Sequence, residues 1–159
     1  MEYTWSPWRY QYISTVDGER GCVFCRVAQE RDDTRNLIVH RASLNFVILN
    51  LFPYTSGHLM IVPYEHVASP TAVGAPVTTE MMELAKRAQV ALEAEYGPHG
   101  FNIGMNIGRS AGAGVAEHIH LHVVPRWIGD ANFVSIVGET RVLPEDLSTT
   151  YSRLKKHFD

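Results

Sequence analysis

Three histidines at alternating positions form the densest group of chemically active side chains in this sequence. His118, His120 and His122 are separated by Ile119 and Leu121. Alternate side chains of a β-strand point to the same side, so a strand here places three imidazoles on one face and apolar residues on the core face. Each imidazole needs a hydrogen-bond partner and titrates near neutral pH, which indicates a functional site.

Two kinds of chemistry suit such a row of imidazoles. Three strand histidines can hold a metal ion, as in some metal-dependent hydrolases, or one of them can act as a nucleophile with helpers beside it. The preceding segment carries Gly104, Gly108, Gly112 and Gly114. Glycines allow backbone N–H groups to turn towards an anion. A glycine-rich loop that leads into the histidines favours attack on a phosphate group.

A pair of cysteines forms a second candidate site. Cys22 and Cys25 occur as C-V-F-C, a spacing that suits a redox pair or half of a metal site. The N-terminal sequence has no apolar stretch of signal-peptide length, and no apolar run exceeds four residues. We therefore expect a cytoplasmic protein with no membrane-spanning helix and no structural disulfide.

The elements that must position these residues indicate an α+β fold. Apolar and β-branched runs predict an antiparallel sheet of about five strands, at 37–40, 44–49, 58–62, 101–105 and 118–124. Short links between the first three strands favour an antiparallel meander. One main helix is predicted to begin at Thr78 or Thr79 and to stop at Gly97. Pro144 opens the second, and a short helix is expected over 22–29.

Length and composition limit the domain organisation and the partners. With 159 residues, 45% of them hydrophobic, we expect one domain over 22–159, preceded by an aromatic arm over 1–21. Fourteen basic and seventeen acidic residues give a formal charge of -3. This balance argues against a nucleic-acid polymer as partner, because such binding needs a broad positive surface. Binding of a small anionic ligand is compatible with this charge, because local backbone N–H groups can hold it.

The chain is similar to a known family at several motifs. The run His118-Ile-His-Leu-His-Val-Val resembles the signature of the histidine triad superfamily. Asn50, followed by Gly57-His58, resembles that family's ribose-contacting asparagine and its Gly-His strand. The similarity covers roughly residues 22–126. The flanking stretches WSPWR and PRWIGDANF resemble the diadenosine tetraphosphate phosphorylase branch, near the fragile histidine triad hydrolases.

The resemblance implies a nucleotidyl-transfer reaction. His120 would attack the α-phosphorus of a dinucleoside polyphosphate and form a covalent nucleotidyl-histidine, with His122 and His58 supporting the charge. Water or orthophosphate would then release the nucleotide. The implied substrate-binding residues are Asn50, Asn106, Gly112, Gly114, Val115 and His122. Many members have Gly-Gln-Ser or Gly-Gln-Thr before the triad, whereas this loop is one residue longer and has no side-chain amide or hydroxyl at those places. Its phosphate contacts would therefore come from the backbone alone, or from Ser110 or Arg109.

The resemblance also implies a metal site and an assembly. Cys22, Cys25, His66 and His118 would complete a structural Cys2His2 zinc site, which leaves His120 as the nucleophile. Magnesium would accompany the polyphosphate. The family implies a homodimer or larger homo-oligomer in which two sheets join.

Three alternatives to this reaction remain open from the sequence. The substrate could be a nucleoside phosphoramidate, or the chain could be a nucleotide-binding module without catalysis. The third alternative is a metal hydrolase with the three triad histidines as ligands.

Overall fold

The structure is a computed structural model that describes residues 21–131 and 144–159. Except for Gly21, the aromatic arm expected over 1–21 lies outside these residues. So do Asn132 and Phe133 at the end of PRWIGDANF.

Five strands form one antiparallel sheet, which confirms the predicted α+β architecture. The strands are β1 (Ile38–Arg41), β2 (Asn45–Leu49), β3 (Leu59–Pro63), β4 (Gly100–Gly104) and β5 (Leu121–Arg126). Their spatial order is β1-β2-β3-β5-β4. The first three form the expected meander because their links are short. The last strand, β5, inserts between β3 and β4, so the residues that lead into it lie near the middle of the sheet.

Four helices are described, and the longest begins earlier than predicted. They are α1 (Val23–Gln29), α2 (Asp33–Asn36), α3 (Ala75–Tyr96) and α4 (Leu147–Lys155). The prediction that α3 starts at Thr78 or Thr79 was wrong, because Pro76 fits the first turn of a helix and Gly74 serves as N-cap. Its end is as predicted, with Gly97 in the left-handed conformation.

The triad segment is less regular than predicted, although its side chains alternate as expected. Strand β5 starts at Leu121, so His118 and His120 precede it and only His122 lies within it. Pairing with β3 reaches only Leu121, and β3 ends at Pro63, which has no N–H to extend the ladder. The alternation still holds, because Ile119, Leu121 and Val123 all lie in the main core.

Both faces of the sheet are covered by apolar residues. In β2, Val47 and Leu49 belong to the large cluster built with α3 and α4, whereas Phe46 and Ile48 belong to a smaller cluster built with α1. This two-sided burial explains why β2 reads as a continuous apolar run. None of the helices described here is long and apolar enough to span a bilayer.

Candidate active site and metal centre

Hydrogen bonding fixes the protonation of His120. Its Nδ1 lies 2.9 Å from the backbone carbonyl oxygen of His118, and a carbonyl oxygen can only accept. The proton of the neutral ring is therefore on Nδ1, and Nε2 carries the lone pair. Burial lowers the pKa of His120 and outweighs the hydrogen bond to the His118 carbonyl, which acts in the opposite direction. A neutral imidazole with a lone pair at Nε2 is suited to nucleophilic attack.

A second chain of hydrogen bonds sets the protonation of His122. The backbone N–H of Tyr54 donates to Nδ1 of His58 over 3.1 Å, so the proton of His58 is on Nε2. That Nε2 lies 2.9 Å from Nδ1 of His122. The Nδ1 of His122 is therefore the acceptor, which puts its own proton on Nε2. His122 thus presents a hydrogen-bond donor.

Sheet register explains why these two histidines meet. Met60 in β3 pairs directly with His122 in β5, so their side chains share one face. His58 is two residues before Met60 and lies on that same face, where it is fully buried. The His120 and His122 rings are also neighbours, with centroids 4.8 Å apart in a T-shaped arrangement. A nucleophilic nitrogen and a hydrogen-bond donor therefore stand side by side.

The glycine-rich loop is held by its own backbone. Gly108 and Gly112 have positive φ angles of 80° and 86°, which favour glycine. The N–H of Gly112 donates to the Arg109 carbonyl over 2.9 Å, and that of Ala113 donates to Gly108 over 3.3 Å. These two N–H groups close the turn. Both N–H groups are therefore already hydrogen-bonded within the loop.

The two asparagines predicted to bind substrate follow different strands, Asn50 after β2 and Asn106 after β4. The amide nitrogen of Asn50 is 3.4 Å from Nδ1 of His58, and its Oδ1 accepts a 3.0 Å hydrogen bond from the Phe52 N–H. Asn50 thus shapes the β2–β3 connection beside the buried histidine. Asn106 is half-buried, two residues beyond β4, where the glycine-rich loop begins.

The structure brings four predicted metal ligands together: Cys22, Cys25, His66 and His118. Their ligand atoms all lie within 4.8 Å of one another. The topology explains part of this, because β3 and β5 are antiparallel neighbours. Residues just after β3, such as His66, therefore lie beside residues just before β5, such as His118. The start of α1 brings the two cysteines to the same place.

The distances from His118 to the other three ligands fit a tetrahedral ion. Nδ1 of His118 is 3.3 Å from Cys22 Sγ, 3.6 Å from Cys25 Sγ and 3.3 Å from Nδ1 of His66. Zinc–sulfur and zinc–nitrogen bonds of roughly 2.3 and 2.0–2.1 Å at tetrahedral angles require edges of about 3.3–3.8 Å. The second nitrogen of His118, Nε2, lies 2.9 Å from the Pro63 carbonyl, which leaves a lone pair on Nδ1 for an ion.

Two further observations bear on the metal. Although burial raises the pKa of Cys22, its hydrogen bond with His118 and those from backbone N–H groups outweigh burial and lower it to about 6. A thiolate at neutral pH is the form that binds metal. His118 offers no nitrogen for an ion shared with His120 and His122, because its Nδ1 faces the cysteines and its Nε2 faces the Pro63 carbonyl. The structure thus argues against a metal hydrolase built on the triad.

Sequence reasoning missed two contributors to the site. The backbone N–H of Tyr54 gives no signal in the sequence, because any residue except proline supplies one. Phe24 contacts the rings of both His118 and His120. In the sequence, only its position between Cys22 and Cys25 indicated that Phe24 lies near the metal group.

Comparison with known proteins settles the family. The family model described as HIT domain matches residues 31–127, which include the triad, Asn50 and His58. The chain belongs to the histidine triad (HIT) family. The matched span begins after Cys22, Phe24 and Cys25, so α1 and its two cysteines lie outside it.

Relatives of this HIT protein include enzymes of nucleotide metabolism. It is 38% identical over 158 residues to an AP-4-A phosphorylase of Mycobacterium tuberculosis, covering 94% of this chain and 80% of that protein. It is 27% identical to the adenosine 5'-monophosphoramidase hnt1 of Schizosaccharomyces pombe, covering 80% and 96%. A Zn-bound histidine triad family protein from Mycobacterium smegmatis superimposes with a TM-score of 0.70 at 26% identity, covering 87% of this chain and 93% of that one.

Proposed function

We propose that this HIT protein is a nucleotidyl transferase that cleaves dinucleoside polyphosphates such as diadenosine tetraphosphate. The observation that carries the proposal is the pair of assigned tautomers, with a lone pair on Nε2 of His120 beside a proton on Nε2 of His122. The likeness to an AP-4-A phosphorylase over 94% of the chain supports the substrate class.

The first half-reaction forms a covalent nucleotidyl-histidine. Nε2 of His120 attacks the α-phosphorus, so an N–P bond forms and the P–O bond to the remaining nucleotide breaks. The positive charge that develops on the ring is stabilised at Nδ1–H by the His118 carbonyl. His122 donates its Nε2 proton in a hydrogen bond to the phosphate oxygens, and the buried His58 holds it in place.

The second half-reaction regenerates the imidazole. Orthophosphate or water attacks the same phosphorus, a P–O bond forms and the N–P bond breaks. With diadenosine tetraphosphate the first product is ATP, and the second is ADP from phosphate or AMP from water. We assign orthophosphate as the acceptor, on the likeness to the phosphorylase.

Substrate contacts are assigned to two groups of residues. Asn50 binds the ribose and Asn106 the α-phosphate. Because the N–H of Gly112 is engaged within its loop, the phosphate N–H donors are those of Gly114 and Val115, and Gly112 contributes its left-handed turn.

Zinc is the metal we assign to the Cys2His2 group, because two thiols and two imidazole nitrogens are the donors that zinc prefers. When bound, zinc would supply only a structural link between the start of α1 and the triad segment. This role needs no open coordination position. Magnesium, where it acts, would be carried by the polyphosphate, because Mg²⁺ is usually bound through substrate phosphates rather than by a cage of protein ligands.

The assembly we propose is a homodimer joined through β4. This strand is an edge of the sheet, and Ile103 on it and Ile107 just beyond it are exposed. A second copy would cover these apolar side chains and pair with the open edge.

Product analysis tests this function. Purified protein is incubated with diadenosine tetraphosphate, with and without orthophosphate, and nucleotides are separated by chromatography. Phosphate-dependent ADP plus ATP supports the phosphorylase, and phosphate-independent AMP plus ATP indicates a hydrolase of the same chemistry. Cleavage of adenosine phosphoramidate alone would favour the second candidate, which the likeness to the monophosphoramidase supports. Tight binding without any product would indicate a binding module.

A further inference from the structure

Gly104 ends a row of paired positions that crosses the sheet beside the triad. It pairs directly with His122 between β4 and β5, and His122 pairs with Met60 of β3. Met60 in turn pairs with Ile48 of β2. Directly paired residues project from the same face, so these four positions share the face that carries His122. Ile48 and Met60 are buried, His122 is half-buried and Gly104 is exposed.

Neither the backbone nor the packing requires a glycine at position 104. Its φ does not lie in the left-handed region, so other residues could adopt this conformation. Among the described residues, no atom lies within 4 Å of the place that a Cβ would occupy. Glycine weakens a strand, and it often marks a site where a ligand approaches the backbone closely. Gly104 therefore leaves open space beside the His122 ring.

The order of the strands indicates which part of the substrate reaches this space. Asn50, assigned to the ribose, follows β2, whereas His120 immediately precedes β5. Because β5 lies between β3 and β4, the bound nucleoside is on the β3 side of the triad segment. The substrate is a chain, so the phosphates beyond the α-phosphorus extend away from the ribose, over β4. Asn106, assigned to the α-phosphate, is two residues beyond Gly104, which puts this glycine next to that path.

We propose that Gly104 is a specificity-determining residue, because the space beside His122 admits the polyphosphate beyond the α-phosphorus and then the orthophosphate that replaces it. The inference rests on the proposed function and adds the residue that makes room for a large leaving group. Entering and leaving atoms are in line at phosphorus, so the acceptor approaches from the side on which the first product departed. A side chain at position 104 would obstruct both, but it would leave the adenosine and α-phosphate contacts in place.

The binding test uses full-length protein that carries His120→Asn, so that no substrate is consumed. Calorimetry measures the Kd of diadenosine tetraphosphate and of adenosine monophosphate, which lacks the further phosphates. We expect Gly104→Val to raise the Kd of the dinucleotide by about 10-fold or more and that of the mononucleotide by less than about twofold. Gly104→Ala should fall between glycine and valine for the dinucleotide.

Gly100→Val is the matched control. Gly100 lies in the same strand and on the same face, but it pairs with Arg126, roughly 13 Å along the strand from Gly104. An added Cβ there also meets no atom of the described residues within 4 Å. G100V should leave both Kd values within about twofold. With His120 intact, G104V should lower kcat/KM for phosphorolysis of diadenosine tetraphosphate by about 10-fold or more, and G100V should not.

Light scattering on every variant separates this role from the proposed dimer contact of β4, and the mass should stay the same. The inference is overturned if G104V binds both nucleotides as its parent does, weakens both equally, changes the mass, or is matched by G100V. If wild type yields no product and no adenylyl group, the proposed function fails, whereas the two Kd values still decide whether this space holds the polyphosphate. Absence of dinucleotide binding to His120→Asn would overturn both.

Discussion

Gly57 is a position at which one added methyl group should be strongly destabilising. It precedes the buried His58 and has a φ of +80°. A Cβ at this position would lie 2.7 Å from Cδ2 of Leu92, which is fully buried and cannot move aside into solvent. Gly57→Ala therefore combines left-handed backbone strain with overpacking of the core.

The size of the effect follows from these two costs. A left-handed alanine costs about 1–2 kcal/mol, and overpacking about 1–3 kcal/mol. We expect the free energy of unfolding to fall by about 3 kcal/mol, which lowers the Tm by roughly 6–12 °C for a chain of this size. His58 should also shift, because it is the next residue, so activity should fall as well.

Urea unfolding at fixed protein and zinc concentrations measures the effect, with Gly100→Ala as control. Gly100 lies in β4, and an added Cβ there meets no atom within 4 Å. G100A should therefore change the free energy of unfolding by less than about 1 kcal/mol. A G57A variant as stable as G100A would refute the steric reasoning. Leu92→Ala removes Cδ2 and should relieve the contact with the new Cβ, so it should lower the free energy of unfolding less in G57A than in wild type. An equal loss in both backgrounds would also refute the steric reasoning.

Three further predictions concern the metal, acid stability and assembly. Cys25→Ser should contain little zinc by elemental analysis. At a zinc concentration 1,000-fold above the wild-type Kd, it should also lack the roughly 4 kcal/mol of stabilisation that bound zinc gives to wild type. Full zinc occupancy in Cys25→Ser would contradict the assigned ligand set. Hydrogen bonds from Lys156, and then from His157 and Arg153, lower the pKa of Glu95 to about 2. The difference in free energy of unfolding between wild type and Glu95→Gln, measured with urea, should therefore be full at pH 6 and diminish as pH falls from 4.5 towards 2. A difference that stays constant over this range would contradict the pKa assignment. Ile103→Lys should convert a dimer into monomers in light scattering, and an unchanged mass would exclude the β4 edge.

Much of the fold could be predicted because apolar periodicity reports burial directly. The alternation at 118–123 correctly placed Ile119, Leu121 and Val123 in the core. The start of β5 was missed because strand ends depend on the partner strand, and here the partner ends at Pro63. The start of α3 was missed because a threonine was expected as N-cap, whereas Gly74 serves as N-cap and Pro76 fits the first helical turn.

The site was less accessible to sequence reasoning, since its function depends on which atom faces which. The resemblance nominated His66 and His118 beside the cysteines, and the structure brings all four together. No pattern could indicate that the Tyr54 N–H sets the tautomer of His58, or that the Gly112 N–H is used within its own loop. These contacts are made by backbone N–H groups, which nearly every residue has, so the residue types give no sign of them.

The central claim is that Nε2 of His120 becomes covalently bonded to the nucleotide. Wild type and His120→Asn are mixed with diadenosine tetraphosphate without orthophosphate, quenched within the first turnover under conditions that preserve a phosphoramidate, digested and analysed by mass spectrometry. We predict one adenylyl group on the peptide that contains His120, formed before product is released and discharged when orthophosphate is added. The His120→Asn protein should carry no adenylyl group. Product formation at an undiminished rate in His120→Asn, or an adenylyl group on another residue of the wild type, would contradict the account.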